Sequence, residues 1–290
     1  MYAGSSRNVK EISAHRITQA VQELCIEANL SLSDDMKDAL LQAQQTESSP
    51  LGRSILEKLC RNLEIAENEQ IPICQDTGMA VVFLRIGQDV HITDGDLGEA
   101  VHEGVRRGYE QGYLRKSVVS DPIIRKNTGD NTPAVIHTEI VPGDTVHITV
   151  APKGFGSENM SRVFMLKPAD GEQGVLDAIV RAVREAGPNA CPPMVVGVGV
   201  GGTFEKCAQL AKEALLLPVN AHSDQEHIRR IEELALEQIR ALNIGPAGLG
   251  GTTTAFAVHI KTYATHIAGL PVAVNICCHV NRHASREITA

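Results

Sequence analysis

Residues 194–202 read Met-Val-Val-Gly-Val-Gly-Val-Gly-Gly, and this stretch decides the fold class. The apolar part is typical of a buried strand, and the glycines at 197–202 match the Gly-x-Gly-x-x-Gly pattern of dinucleotide-binding proteins. That fold needs a further strand with an acidic residue about twenty positions on, which holds the ribose. Here residues 217–220 read Leu-Pro-Val-Asn, and another helical pattern follows. Close backbone packing, or anion binding at a helix N-terminus, therefore explains the glycines better than a nucleotide site.

The segments around this strand do not alternate regularly between strand and helix. Helical spacing predicts a helix at 17–28, and Ser31, Ser33 and Asp34 offer caps for a second helix. Further helices are predicted at 55–65, 96–113, 175–186, 204–215 and 223–241. Apolar runs predict strands at 79–86, 135–137, 146–150, 194–200, 253–260 and 270–277, with a Pro-Gly-Asp turn at 142–144. We therefore expect an α+β protein rather than a doubly wound one. A helical N-terminal region over 1–70 precedes mixed β-sheet layers with helices over 71–290, within one continuous domain.

Composition and charge exclude several classes of partner. The chain has 290 residues, of which 43% are hydrophobic and only 3% aromatic, and its formal net charge is −8. A negative chain is a poor partner for nucleic acid or for an anionic membrane surface. No apolar run approaches the roughly 20 residues that span a bilayer. The polar residues 1–8 lack the pattern of a signal peptide, so we expect a soluble, cytoplasmic protein.

The seven cysteines lie at 25, 60, 74, 191, 207, 277 and 278, and without an export signal they do not favour paired disulfides; small buried hydrophobes are the alternative for any of them. Cys25 and Cys60 lie inside helical patterns and are expected to be small buried hydrophobes. Cys74, Cys191 and Cys278 are flanked by loop residues, but their spacing fits no zinc-ribbon or ferredoxin pattern. Four loops dense in Gly, Pro, Asn, Thr and Asp are candidate site loops: 72–78, 121–133, 153–159 and 245–254.

Three thiolates have a specific chemical consequence if they hold a four-iron cluster. One iron is then left without a protein ligand, and an open metal position can act as a Lewis acid toward a hydroxyl group. Elimination of water from a 2-hydroxy acid needs such a group, together with a base that takes the adjacent proton.

Four segments together resemble the class I (iron–sulfur) fumarases. They are residues 72–78 (Pro-Ile-Cys-Gln-Asp-Thr-Gly), 127–134 (Asn-Thr-Gly-Asp-Asn-Thr-Pro-Ala), 190–193 (Ala-Cys-Pro-Pro), and His266 twelve residues before Cys278. The resemblance extends from about residue 10 to 288. The sister family, L-tartrate dehydratase, shares the cysteine segments and the His–Cys spacing. It departs from this chain at 127–134, where the sequence is more similar to fumarases.

The resemblance implies a [4Fe-4S] cluster held by Cys74, Cys191 and Cys278. Cys277 is adjacent to Cys278, but its side chain would point the opposite way on a strand. We choose Cys278 because Arg282 stands four residues further on, as in the family pattern. Cys277, Cys207, Cys60 and Cys25 receive no role.

The resemblance also implies residues that act on the substrate. Gln75 and Asp76 resemble the polar pair beside the first ligand, and Asp76 is the candidate that orients the hydroxyl or shuttles its proton; a turn-capping carboxylate is the alternative. Arg115 resembles an arginine that binds a substrate carboxylate, and a solvated basic patch is the alternative. Gly154 and Gly156 are similar to a glycine loop whose backbone N–H approaches the substrate. His266 is similar to a histidine of the substrate pocket, against the alternative of a structural histidine.

The implied activity is the reversible hydration of fumarate to (S)-malate. Single-chain enzymes of the family carry a second domain that supplies the catalytic base, and this chain resembles the α subunit of the two-subunit form. The resemblance therefore implies a β subunit with the base, a C4 dicarboxylate substrate, and a dimer of α chains in an α/β assembly. Alternatives are an L-tartrate dehydratase or mesaconate hydratase α subunit, a non-catalytic iron–sulfur redox or sensor protein, and a structural protein without metal.

Overall fold

A computed structural model describes residues 9–290, so residues 1–8, and with them the start of the predicted 1–70 region, lie outside the described part. The helices are α1 (Ala14–Leu30), α2 (Asp34–Thr46), α3 (Pro50–Glu69), α4 (Leu97–Gln111), α5 (Phe155–Glu158), α6 (Gly171–Ala186), α7 (Phe204–Ala214) and α8 (Glu226–Ala241). The strands are β1 (Lys10–Ser13), β2 (Met79–Gly87), β3 (Val90–Thr93), β4 (Val135–Val141), β5 (Val146–Lys153), β6 (Arg162–Leu166), β7 (Met194–Gly201), β8 (Ala255–Tyr263), β9 (Leu270–Cys277) and β10 (Ala284–Ile288).

The described residues fold as a mixed α+β protein with several sheets, and their contacts divide the chain into two compact units. The first unit contains Met1–Ser31, Gln70–Lys153 and Arg282–Ala290, and the second contains Leu32–Glu69 and Gly154–Asn281. The predicted 1–70 region therefore holds three helices that belong to different units. Among residues 9–290, no helix is both long and apolar enough to cross a bilayer.

The first unit is built on a four-stranded sheet in the order β10-β5-β2-β4, beside the short parallel pair β1-β3. α1 and α4 pack against each other, and their apolar faces share a core with alternate residues of β2 and β5, such as Val82, Leu84 and Ile148. The two helices approach closely at Gly104, where an added Cβ would lie 2.7 Å from the carbonyl oxygen of Thr18. α4 is thus fixed against α1, which itself packs on β5 and β10 of the sheet.

The strands predicted on either side of the 142–144 turn are present, but they do not pair with each other. β2 lies between them, antiparallel to β5 and parallel to β4. The end of β2 enters the turn: the Gly87 N–H donates to the carbonyl of Thr145, and the Gln88 N–H donates to the carbonyl of Val141, each over 2.8 Å. A Cβ on Gly87 would lie 2.5 Å from the carbonyl oxygen of Gly143, so only glycine fits there.

The second unit contains a sheet in the order β6-β9-β7-β8, with β7 at its centre. β7 is parallel to β8 and antiparallel to β9. Cβ atoms on Gly197 and Gly199 would lie 2.1 Å and 2.0 Å from the carbonyl oxygens of Ala211 and Cys207 in α7. These glycines therefore allow α7 to lie directly on the strand, which confirms the close-packing interpretation of the stretch. On the opposite face, α6 and α8 bury the apolar residues of the sheet.

The glycine-rich loop 245–254, a candidate site loop, is fastened within the second unit by the fully buried Glu47. Its carboxylate accepts hydrogen bonds from the backbone N–H groups of Ser49, Thr252 and Thr253 over 2.7–3.0 Å. Burial alone would raise the pKa of Glu47, but these hydrogen bonds outweigh it and lower the pKa to about 2. The loop thus has a structural role around a buried carboxylate.

Candidate functional site

In the first unit, the predicted cysteine loop lies directly before β2. Cys74 is half-buried and Gln75 is exposed, while the preceding Ile73 is buried and its N–H donates to the carbonyl of Asn29 over 3.0 Å. The Asp76 carboxylate accepts from the N–H of Gly78, whose φ of +77° is one that glycine adopts readily. Asp76 therefore caps a turn, as the alternative interpretation anticipated, two residues from Cys74.

Buried side chains hold the backbone of this loop. The Tyr109 hydroxyl lies 2.8 Å from the carbonyl oxygen of Thr77 and 2.9 Å from that of Gly78. The Asn131 amide donates to the Gly78 carbonyl over 3.2 Å, and its own oxygen accepts from the N–H of Ser117. Burial raises the pKa of the Tyr109 phenol, so it remains a neutral donor. Loop 72–78 is thus fixed by groups that come from two other segments of the unit.

Arg115, the predicted carboxylate ligand, is exposed and lies beside the same loop. The Thr77 hydroxyl donates to the carbonyl oxygen of Arg115 over 3.1 Å, which ties the two segments together. The unit therefore brings the backbone of Arg115 beside the loop that carries Gln75 and Asp76. An exposed guanidinium in this position can receive a carboxylate in a bidentate manner.

The segment 127–134, which carried much of the resemblance, is used for local structure. The Asp130 carboxylate pairs with Arg106 over 3.0 Å and accepts from the N–H and hydroxyl of Thr132. Burial opposes ionisation, but these donors dominate and lower the pKa of Asp130 to about 2. Asn127 donates its amide to the carbonyl of Lys116. These contacts position the segment that carries Arg115.

Arg282, the residue by which the family pattern identifies Cys278, lies against the Cys74 loop. Its side chain is 5% exposed. Nη2 donates to the carbonyl of Asp76, and Nε lies 3.4 Å from the carbonyl oxygen of Pro152. Its third nitrogen group, Nη1, is buried and has no hydrogen-bond partner among residues 9–290.

In the second unit, the segments of two predicted cluster cysteines lie at the same end of the sheet. β7 begins three residues after Cys191 and β9 ends one residue before Cys278, and the antiparallel register pairs Val195 with Cys277. The carbonyl oxygen of Cys191 lies 3.4 Å from the backbone nitrogen and 3.0 Å from the ring Nδ1 of His279. Cys191 follows a 3₁₀ turn with a left-handed backbone (φ +51°).

The cysteines differ in exposure in a way that matters for thiolate chemistry. Cys191 is exposed and Cys278 is half-buried, whereas Cys277 is buried with its Sγ 4.0 Å from the carbonyl oxygen of Val280. Burial raises the pKa of the Cys25 thiol to about 12 and also raises the pKa of Cys207 and Cys60. Buried thiols with raised pKa values are poor metal ligands, because the thiolate is the ligand form.

The glycine loop is adjacent to the Cys191 turn within the second unit. Gly154 precedes the short helix α5, and a Cβ on Gly156 would lie 3.9 Å from the carbonyl oxygen of Asn189. At the end of α5, Glu158 pairs with Lys212 and accepts from the amide of Asn275 over 2.8 Å. The loop is therefore anchored to β9 three residues before Cys278.

His266 lies at the other end of the same sheet. It is exposed in the turn between β8 and β9, where its Nδ1 accepts from the N–H of Ala268 over 3.2 Å. The eight residues of β9 separate this turn from Cys278, which is about 26 Å at the usual rise of a strand. Within one copy of this unit, His266 is not brought to the cysteine end.

Within the described part of the chain, no group of three or more His, Cys, Asp and Glu side chains is arranged to hold a metal ion. The donor set nevertheless fits a thiolate-bound, negatively charged group. Each predicted ligand is exposed or half-buried, as Cys60 also is, and a buried guanidinium whose Nη1 has no partner among residues 9–290 lies against the Cys74 loop. The seven cysteines, all within residues 9–290, form no disulfide.

Comparison with known proteins identifies related sequences. A family model described as "Fumarate hydratase (Fumerase)" matches residues 18–287. A Methanocaldococcus jannaschii protein named "Putative L(+)-tartrate dehydratase subunit alpha" is 39% identical over 279 residues, which cover 94% of this chain and 98% of that protein. The L(+)-tartrate dehydratase subunit alpha of Escherichia coli strain K12 is 29% identical over 288 residues, which cover 98% of this chain and 95% of that protein.

Proposed function

This chain belongs to the fumarate hydratase family, and we propose that it is the α subunit of an iron–sulfur hydro-lyase that converts a 2-hydroxy C4 dicarboxylate to its unsaturated product. The observation that carries the proposal is the arrangement of accessible cysteines. Cys191 and Cys278 lie at one sheet end of the second unit, and Cys74 lies in a loop of the first unit beside Asp76 and Arg115. The family and the names of both relatives support the same reaction class.

In this proposal Cys74, Cys191 and Cys278 are the ligands of a [4Fe-4S] cluster. When bound, the cluster supplies a Lewis acid that favours departure of the substrate hydroxyl. Arg115 binds a substrate carboxylate, and Gln75 and Asp76 contact the substrate beside the first ligand. Because the Asp76 carboxylate already accepts from the N–H of Gly78, its orientation is fixed before the substrate arrives. Gly154 and Gly156 offer a backbone that can approach the substrate closely.

A β subunit completes the site in this proposal. The named relatives are α subunits, which supports a partner chain for this protein too. The β chain supplies the base that takes the proton from the carbon next to the hydroxyl-bearing carbon. Asp76 and His266 are then the groups of this chain that hold or move a proton.

The position of His266 bears on the proposed dimer of α chains. Since His266 lies about 26 Å of strand away from Cys278, a catalytic role for it requires a second copy of the chain to bring it to the cysteines. The turn that carries it also exposes Ile267, which is 91% accessible. An α–α dimer and a catalytic His266 are therefore one combined proposal.

Two substrates have specific support. The sequence of segment 127–134 favours fumarate, which would be hydrated to (S)-malate. The relatives' names favour L-tartrate. Asn127, Asp130 and Asn131 make contacts that position neighbouring loops, so segment 127–134 can select the substrate through the loops it positions. Fumarate is our leading candidate, and L-tartrate is the second.

The experiment that tests this proposal uses the chain assembled with its β subunit under anaerobic conditions, after supply of iron and sulfide. Turnover is measured with fumarate, (S)-malate, L-tartrate and mesaconate, and iron and sulfide are counted in parallel. We expect four irons per chain and turnover of fumarate and malate. Turnover of L-tartrate alone would replace the leading substrate with the second candidate.

Cysteine variants separate the hydro-lyase from its rivals. Cys74→Ser, Cys191→Ser and Cys278→Ser should each lose iron and activity, whereas Cys60→Ser, a half-buried cysteine of α3, should retain both. A cluster with no turnover of any acid, and with a fourth protein ligand, would indicate a redox or sensor protein. A colourless wild-type assembly without iron would indicate a structural protein.

A further inference from the structure

We propose that Arg282 is a positioning residue for the cluster site: it holds the Cys74 loop through the backbone and keeps one N–H for the negative charge of the bound cluster. This inference rests on the proposed function, since it assumes that the cluster binds. It concerns a residue to which the family resemblance gives no role beyond identifying Cys278 as the third cysteine.

The first observation is the position of the side chain. Arg282 is 5% exposed and is the first residue of the C-terminal segment that returns to the first unit. Its Nη2 donates to the carbonyl of Asp76, and Nε lies 3.4 Å from that of Pro152. Both acceptors are backbone atoms, so the guanidinium clamps the end of β5 against the loop that follows Cys74. A planar fork with several donors suits such a clamp.

The second observation is an uncompensated charge. Arg282 forms no ion pair with any described residue, and its Nη1 is buried without a hydrogen-bond partner in the described part of the chain. Asp76, the nearby acid, contacts it through the carbonyl rather than through the carboxylate. A buried guanidinium without an anion is unfavourable, because burial removes the water that solvated its charge.

An anion that arrives at this loop would offset both costs. In the proposed function, the cluster that Cys74 would help to hold would bring net negative charge next to residues 74–78. Net charge and hydrogen bonds to the sulfurs are among the factors that set a cluster's reduction potential. A positive group there favours the reduced, more negative state. Arg282 should therefore raise the reduction potential of the cluster and slow its loss.

Arg286 is a matched control in the same C-terminal segment, Arg282–Ala290. It lies four residues further along the chain, within β10, is exposed, and pairs with Glu23 and Glu27. Its replacement removes the same charge from the same unit without touching the Cys74 loop. Comparing Arg282→Met with Arg286→Met shows whether the position of the lost charge matters. Comparing Arg282→Lys with Arg286→Lys shows whether the guanidinium fork matters when the charge is kept.

The test uses the α/β assembly with its cluster reconstituted. The readouts are the midpoint potential from a redox titration followed by electron paramagnetic resonance, and the half-life of the cluster absorbance in air. We expect Arg282→Met to shift the potential to a more negative value and to shorten the half-life several-fold. Arg282→Lys should retain most of the potential, because it keeps the charge, and both Arg286 variants should match wild type.

Each other outcome overturns the inference. A folded Arg282→Met assembly whose midpoint potential and cluster half-life equal those of Arg286→Met would overturn it. If Arg282→Met does not fold, an Arg282→Lys assembly with the cluster half-life of Arg286→Lys would do so, because lysine cannot reproduce the fork. A change in KM for the dicarboxylate with an unchanged potential would assign Nη1 to the substrate instead.

The same experiment separates this inference from the proposed function. A wild-type cluster that turns over none of the acids would refute the hydro-lyase, while the potentials of the variants would still decide the role of Arg282. A wild-type assembly that takes up no iron would overturn both.

Discussion

The two units hold their predicted cluster cysteines by different means. In the first unit, three buried side chains donate hydrogen bonds to the carbonyls of residues 76–78, next to Cys74. In the second unit, pairing between β7 and β9 brings the segments of Cys191 and Cys278 to one sheet end. A loop held by side chains should be sensitive to single conservative substitutions. A pair held by strand register should be lost only when the sheet itself is disturbed.

The largest expected effect comes from disturbing that sheet with Gly199→Ala. The new methyl group would lie 2.0 Å from the carbonyl oxygen of Cys207, so α7 has to move off β7. We expect the free energy of unfolding to fall by about 3 kcal/mol, the upper range for overpacking. Urea unfolding followed by circular dichroism measures this change. Gly156→Ala is the control, because its Cβ meets nothing nearer than 3.9 Å; equal midpoints for the two variants would contradict the prediction.

A second effect of similar size depends on pH and belongs to the same sheet. His259, on β8 opposite Gly197, is 1% exposed, and neither ring nitrogen has a hydrogen-bond partner within residues 9–290. Burial lowers its pKa to about 4 from an ordinary 6.5, with a further decrease from His222 and an opposing contribution from Asp35. The unfolded chain therefore binds the proton more readily than the folded one.

The sign of the pH effect follows from that difference. The stabilisation from neutral His259 is complete above about pH 6.5 and is lost as the pH falls toward 4, by roughly 3 kcal/mol in total. Unfolding measured between pH 7 and 4 should be less pH-dependent in His259→Phe than in wild type. His91→Phe, at an exposed histidine of β3, should retain the wild-type slope. Parallel slopes for all three proteins would exclude this role for His259.

Tyr109→Phe tests the loop that is held by side chains. It removes the hydroxyl that serves the carbonyls of Thr77 and Gly78 and leaves buried acceptors short of a donor, which costs about 1–3 kcal/mol. We expect a lower melting temperature together with faster loss of iron. Tyr113→Phe, whose side chain is 92% exposed, should change neither. An unaltered iron half-life in Tyr109→Phe would show that the loop does not depend on this hydroxyl.

The smallest expected effect concerns α4, the helix that carries Tyr109, and compares its N-terminal cap with that of α2 in the second unit. Asp96 caps α4 by accepting from the N–H of Glu99 over 2.9 Å, and Asp96→Ala should cost about 1 kcal/mol. Ser33 precedes α2 without a side-chain cap, and its hydroxyl is buried and unpartnered among the described residues. Ser33→Ala should therefore not destabilise the protein. Thermal melts compare the two, and equal losses would refute the role of the cap.

Local pattern predicted most of the long elements. The predicted helix at 96–113 is α4, and the strands predicted at 79–86 and 270–277 are β2 and β9. Short elements such as β1, β6 and β10 were not predicted, because four or five residues carry too little periodicity to distinguish a strand from a loop. The placement of β2 between β4 and β5 also depends on long-range pairing, which a turn sequence at 142–144 does not encode.

The sequence alone determined the long elements and the segments by which the chain resembles its family, and it offered close packing as one of two interpretations of Gly197 and Gly199. Tertiary structure decided which residues meet. It placed Arg282 against Asp76. It also placed His266 at the end of the second unit's sheet that is opposite Cys278. The physical reason is that periodicity and glycine content act over a few residues. The environment of a charge or a thiol is set by groups distant in the chain that share its site.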